Sequence, residues 1–365
     1  MKNGKFDVGS IIKGKDLKGK ILYKVLSEDM VMRGFQYKMG MNEDVNQLAT
    51  EGSCKAGLHF CSLKDVCIYL FYGSKLALIS IPDNEDVYVD DYKFRTHRLD
   101  IKKIMRLDKA ETWNYLCQNG VNIKTNNNLA IAYVASNGYL EVVKYLHKNG
   151  VDITIDNNTA VRYAAENGHL EIVKYLYENG ADITASNSYT VRYAAENGYL
   201  EMVKYLYENG ADITACNNYA VRFVAKNGHL EVVKYLHKNG ANITANDNYA
   251  VRYAAKNGHL EVVKYLYENG ADITADNNNA IESASKNGCL EIVKYLHENG
   301  VDVTANNNYA VKCAAENGHL EVVKYLHENG ADITADNNYA VRWAAKHGHS
   351  EVVEYLYKNG ADVKA

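Results

Sequence analysis

From residue 121 onward, apolar and polar positions recur with a fixed period of thirty residues. In the copy from Val151 to Gly180, Val161, Ala164 and Ala165 stand at i, i+3 and i+4, and Leu170, Ile172, Val173 and Leu176 form a second apolar stripe. That spacing predicts two short amphipathic helices, the first ending at Asn167-Gly168 and the second running from near His169 to Asn179. Gly180 then stops the second helix, because glycine takes the left-handed position after a helix without steric penalty. Asp156-Asn157-Asn158 supplies turn residues before the first helix, and their side chains are expected to cap it. Eight copies run from Val121 to Gly360 without a slip, and Ala241–Gly270 matches Ala211–Gly240 at 23 of 30 positions. A unit of this size cannot bury its apolar face alone, so the copies are expected to stack as a solenoid.

Ahead of the repeats the pattern changes. Lys20–Leu26 and Ala77–Ile81 read as strands and Leu63–Tyr72 as a short helix, so residues 1–100 are expected to form a small α+β domain. Glu111 to Gly120 lines up with the second helix of the later copies. Residues 101–120 are therefore expected to be a degenerate capping repeat, followed by eight repeats and a short tail over 121–365. At the far end Ser350 and Glu354 replace the usual Leu and Lys, as a terminal face would require. The fold class expected is mainly α.

The strings Gly168-His169-Leu170-Glu171-Ile172-Val173-Lys174-Tyr175-Leu176 and Asn179-Gly180-Ala181-Asp182-Ile183-Thr184-Ala185 recur along the array. Both resemble the consensus of ankyrin repeats, which implies helix–turn–helix units and binding of other macromolecules. Two features depart from that family. Its period is about 33 residues, and the missing residues fall in the loop before the first helix, so the projecting hairpin finger is expected to be short or absent. Its Thr-Pro-Leu-His turn is replaced by Tyr219-Ala220-Val221-Arg222 and equivalents.

Where copies differ, recognition can reside. One position of the first helix reads Tyr133, Tyr163, Tyr193, Phe223, Tyr253, Ser283, Cys313, Trp343. Three residues later it reads Ser136, Glu166, Glu196, Lys226, Lys256, Lys286, Glu316, Lys346. The resemblance to ankyrin proteins implies that both rows face a concave groove. Tyr163, Tyr193, Phe223, Tyr253 and Trp343, with Glu166, Glu196, Lys226 and Lys256, are the candidate partner-binding residues, since Tyr and Trp are favoured at interface hot spots. The alternative is that the rings shield the alanine-rich helices and pack on each other. The sixth repeat breaks the pattern with Asn279, Glu282, Ser283 and Cys289, which marks a bend, a sub-site or simple drift. His169, His229, His259, His319 and His349 come one per repeat, too far apart in sequence for a zinc frame, and read as structural.

A formal charge of −4 over 365 residues argues against binding driven by phosphate neutralisation, so no nucleic-acid partner is expected. The stretch Val66 to Ile81 is too short and too interrupted to span a bilayer. Met1 to Ser10 lacks an apolar core for a signal peptide, and seven scattered cysteines fit reduced thiols, so a cytoplasmic monomer is expected.

Residues 1–100 hold three chemical candidates. Gly14-Lys15-Asp16-Leu17-Lys18-Gly19-Lys20 has phosphate-loop spacing, but Ile21 stands where a Ser or Thr should ligate magnesium, and a strand is expected next. Cys54, His59, Cys61 and Cys67 lie close together without a CxxC pair, so no metal is assigned. Gly57-Leu58-His59-Phe60-Cys61-Ser62 with Arg33-Gly34 faintly resembles ADP-ribosyltransferases, with Tyr37, Tyr72 and Glu85 as loose partners. Met32-Arg33-Gly34-Phe35-Gln36-Tyr37-Lys38-Met39-Gly40, Gly57 to Cys61 and Ile81-Pro82-Asp83 resemble an N-terminal domain of ankyrin-repeat proteins from giant DNA viruses. That resemblance implies a viral protein acting in an infected cell.

The function expected is a non-enzymatic adaptor that binds a protein partner along the solenoid, with no cofactor. The alternatives are an ADP-ribosyltransferase-like N-terminal enzyme targeted by the repeats, or a self-associating scaffold.

Overall fold

The computed structural model describes residues 2–3, 6–44, 57–124 and 129–362, which divide into two compact units, 1–182 and 183–365. Cys54 lies outside the described residues.

The first unit opens with an eight-stranded antiparallel sheet. Its order is Ile11–Lys13, Asp86–Val89, Phe94–Thr96, Leu58–Ser62, Leu22–Leu26, Lys75–Ser80, Arg98–Arg106 and Gly40–Glu43. The expected strands at 20–26 and 77–81 thus lie next to each other, with Leu22 opposite Ile79. Leu26, Leu58, Phe60, Ile79, Leu99 and Ile101 fill the core of the sheet. A 3₁₀ helix, Leu63–Tyr72, packs on the Leu22–Leu26 strand through Val66 and Leu70.

The last strand runs to Arg106, so the segment expected as a degenerate repeat from residue 101 begins as sheet. Its buried residues Leu99, Ile101 and Met105 follow a strand pattern with one irregularity between Ile101 and Lys103. Only then does the helix Ala110–Gln118 start, with Trp113 fully buried and its indole N–H donating to the Leu107 carbonyl at 2.8 Å. Two helix pairs complete the unit: Leu129–Ser136 with Leu140–Lys148, and Ile155–Glu166 with Leu170–Glu178.

The second unit contains six more helix pairs, from Ala185–Glu196 and Leu200–Glu208 to Ala335–Lys346 and Ser350–Lys358. Within one repeat Val221, Val224 and Ala225 meet Val232, Val233 and Leu236, all essentially without exposure. Each such leucine or valine contributes roughly 1.5–3 kcal/mol on burial. Fully buried alanines such as Ala220, Ala250 and Ala254 let successive first helices pack closely. Gly228 joins a helix pair at φ +83°, and a Cβ there would lie 2.5 Å from His259 Nδ1 of the next repeat, so the turn admits only glycine.

The described loops before the first helices depart from the capping expected. In Ala215–Lys226 the residues Cys216, Asn217 and Asn218 have φ of 55°, 55° and 58°, three left-handed residues in succession. Asn and Asp tolerate that region better than other non-glycine residues, which accounts for the Asn- and Asp-rich loops. Asn158 shares this conformation, and its side-chain carbonyl accepts from the Asp182 N–H at 2.8 Å instead of capping its own helix. The same bond recurs from Asn242 to Asn218 and from Asp332 to Asn308, both at 2.8 Å. The following Asp-Ile-Thr closes a turn: Asp212 Oδ1 accepts from the Thr214 N–H at 2.8 Å and hydroxyl at 2.7 Å. Among the described residues no strand follows Arg106, so the hairpin finger is absent.

Candidate interaction surface

In the second unit the first-helix rings form a column. Tyr189 stacks on Tyr193 with centroids 4.0 Å apart, Tyr219 on Phe223 at 4.0 Å and Tyr249 on Tyr253 at 3.9 Å. Each pair is separated by four residues, one helical turn. Tyr193 reaches Tyr219 at 6.0 Å and Phe223 reaches Tyr249 at 5.6 Å, which links three repeats into one run of six rings. All six rings are partly exposed.

Cations are interleaved with this column. Arg192 lies 5.0 Å from the Tyr219 centroid and Arg222 lies 5.2 Å from that of Tyr249. Lys226 and Lys256 stand 5.3 and 5.5 Å from Phe223 and Tyr253. Cation–π pairs of this kind hold both groups in place at modest gain when exposed. Glu196 instead accepts a hydrogen bond from the Tyr219 hydroxyl at 2.8 Å; burial first, and then this bond, raise the phenol's pKa. Glu196, Lys226 and Lys256 also line a shallow polar trough of about 800 Å³ beside the rings, with His229 and His259.

The candidate residues therefore divide. Tyr193, Phe223, Tyr253, Glu196, Lys226 and Lys256 come together. Trp343 stands apart, stacked on Tyr339 at 5.4 Å with Lys346 3.9 Å away, because Asn279 and Ser283 leave the sixth repeat without rings. Tyr163 and Glu166 belong to the first unit, where they line a cleft with Phe71 and Glu28. Two members of the row are not outward: Tyr133 is buried against Phe71 with its hydroxyl on the Gly73 carbonyl at 2.7 Å, and Cys313 is buried too. Tyr189, Tyr219 and Tyr249 were missed as site residues, although their i−4 spacing to the recognised rings was the signal. The sixth repeat keeps its link to the next copy: where Arg252 pairs with Asp276, Glu282 accepts from Asn306 Nδ2 at 2.6 Å.

The histidine row is tied to backbone, with His169 Nε2 3.0 Å from the Ser136 carbonyl and His319 Nε2 2.9 Å from that of Lys286. Among the described residues no His, Cys, Asp and Glu cluster could hold a metal. The six described cysteines are free, and among the described residues no helix is long and apolar enough to cross a membrane.

The sheet domain encloses a cavity of about 300 Å³ where Arg33, Asp44 and His59 converge, lined also by Tyr37 and Tyr72. Glu85 is not among its lining residues; its carboxylate lies near Thr96 and Arg98. Lys24, unremarked in the sequence, reaches this cavity from the middle of a buried strand. The phosphate-loop spacing has no loop-to-helix geometry behind it: the strand Leu22–Leu26 follows, and a Cβ on Gly14 would fall 2.0 Å from the Pro82 carbonyl oxygen.

The sequence matches the family model described as ankyrin repeats (3 copies) over residues 104–187, 191–277, 219–307 and 280–365. Residues 20–113 match a domain of unknown function, DUF7666. Among curated relatives is an uncharacterized protein of Acanthamoeba polyphaga mimivirus, 32% identical over 131 residues, 34% of this chain and 95% of that protein. A putative ankyrin repeat protein of the same virus is 33% identical over 140 residues, covering 36% of this chain and 68% of the relative. Another is 35% identical over 130 residues, covering 34% and 39%. The helix–turn–helix units and the family match over most of residues 104–365 together establish that the chain belongs to the ankyrin-repeat family.

Proposed function

We propose that this protein is a non-enzymatic adaptor that holds an acidic segment of a protein partner against the first-helix rings of its repeats. The observation that carries this reading is the run of six partly exposed rings from Tyr189 to Tyr253, bordered by Lys226 and Lys256. Adjacent helices pack about 8–10 Å apart, so the rings and lysines present matched rows to an extended chain. Aromatic anchors beside charge are the composition of interface hot spots. The viral relatives support a setting in the cytoplasm of an infected cell.

The test is capture from amoebal lysate by the full chain and by Lys226→Glu with Lys256→Glu. The reading expects a specific captured protein that charge reversal releases; capture unaffected by reversal contradicts it.

A second reading makes residues 1–100 an enzyme. One observation favours it: Arg33, His59 and Asp44 line one cavity. Turnover of NAD by the purified chain would support that reading, and its absence would leave the adaptor.

A further inference from the structure

The cavity in the sheet domain has a chemistry that the repeats do not use. Lys24 sits in the strand Leu22–Leu26, every residue of which is buried, and is itself only 6% exposed. An ammonium group this deep normally requires a counter-charge. Among the described residues Lys24 has no carboxylate partner: its Nζ donates to the His59 carbonyl at 2.7 Å and stands 4.5 Å from the Tyr37 ring centroid. One donor is thereby used out of the three an ammonium carries.

Two further groups face the same space. Arg33 occupies the two-residue tip of the hairpin Val31–Met32 to Phe35–Gln36, with φ +54° ahead of Gly34 at +79°. That turn favours Asn or Gly in both positions, so a long cation is held there against its backbone preference. His59 Nε2 is buried and has no hydrogen-bond partner among the described residues. Burial above all, with Lys93, Lys24, Arg33 and Arg95 adding to it, lowers the His59 pKa to about 3, so the ring is neutral. Among the described residues Asp44 is the one carboxylate on the lining, and its Oδ2 accepts from the Gly57 N–H at 3.3 Å.

We propose that this cavity binds a small aromatic anion, a single planar ring system carrying a phosphate or carboxylate, with Lys24 and Arg33 as its counter-charges and Tyr37 and Tyr72 flanking the ring. The volume is at the lower end for ligand sites, which suits a mononucleotide or smaller.

Calorimetry on the full chain tests it, with phenyl phosphate and AMP as probes and with adenosine and inorganic phosphate as controls. At least one aromatic phosphate binds, and adenosine and inorganic phosphate bind at least about tenfold more weakly. Lys24→Met, which keeps the strand apolar, and Arg33→Asn, which suits the turn, each reduce affinity by about tenfold or more without lowering the melting temperature. The proposal is overturned if neither aromatic phosphate binds at millimolar concentration, if adenosine or inorganic phosphate binds equally well, or if binding survives both substitutions.

Discussion

The side-chain carbonyl of Asn218 accepts the backbone N–H of Asn242, one repeat further on, at 2.8 Å. Asn218 does this from a left-handed backbone conformation, so one residue type satisfies two requirements. Asn218→Ala removes the acceptor and places a less tolerant residue at φ +58°. A loss of roughly 1–3 kcal/mol is expected in urea melts followed by circular dichroism.

Two positions should gain stability on returning to the residue found in sister repeats. Ser285 is fully buried with its hydroxyl unpartnered, where the other copies carry alanine. Ser285→Ala is expected to stabilise by about 1 kcal/mol. Cys216 is left-handed where Asn246 and Asn306 stand in other copies, and Cys216→Asn should raise the melting temperature as well. A drop in either variant would contradict the loop and core assignments.

Gly73 and Tyr133 join the sheet to the first repeats. A Cβ on Gly73 would lie 2.0 Å from the Leu26 carbonyl oxygen, a backbone atom that cannot turn away. Gly73→Ala should therefore cause a large loss of stability, and Tyr133→Phe, which strips the Gly73 carbonyl of its donor, about 1–3 kcal/mol. Trp113 emission in a Trp343→Phe background reports on this unit alone. Removing residues 1–109 would also take away the Leu107 carbonyl that receives the Trp113 indole, so point substitutions test function more cleanly than truncation.

Burial lowers the Lys24 pKa to about 7. Below that pH both native and unfolded chains carry the proton, and the penalty for burying it is complete. As pH rises from about 7 towards the ordinary lysine range, the unfolded chain keeps a proton that the native chain has released, so stability increases by at most about 1.4 kcal/mol per pH unit. Lys24→Met should abolish this slope in melts between about pH 7 and about pH 9. An equal slope in both proteins would contradict the burial of the ammonium.

Much of this architecture was legible in the sequence. The thirty-residue period marked both helices of every copy, and Ile172, Val173 and Leu176 are buried as their spacing implied, while Leu170 of the same stripe is only half-buried. The rings at Tyr193, Phe223 and Tyr253 were legible because they stand at one register position. Their stacking partners Tyr189, Tyr219 and Tyr249 carried a signal too, the i−4 spacing to those rings, but regular recurrence alone does not separate core from surface. Tyr133 shares the row but is buried, since its neighbour is the sheet domain instead of another repeat. The three-residue left-handed turn was hidden because Asn-rich loops serve caps and turns equally well. Lys24 carried a faint signal, a charge in the middle of Leu22-Tyr23-Lys24-Val25-Leu26, but only the enclosing sheet shows that both faces of that strand are covered.

In the proposed function the ring column of the second unit recognises a protein partner. The most direct test compares partner capture by the full chain and by Phe223→Ala with Tyr253→Ala, with helix content checked by circular dichroism. The account predicts that capture falls at least about tenfold, the scale of a lost hot spot, while helix content is unchanged. Undiminished capture by a folded double variant would contradict it.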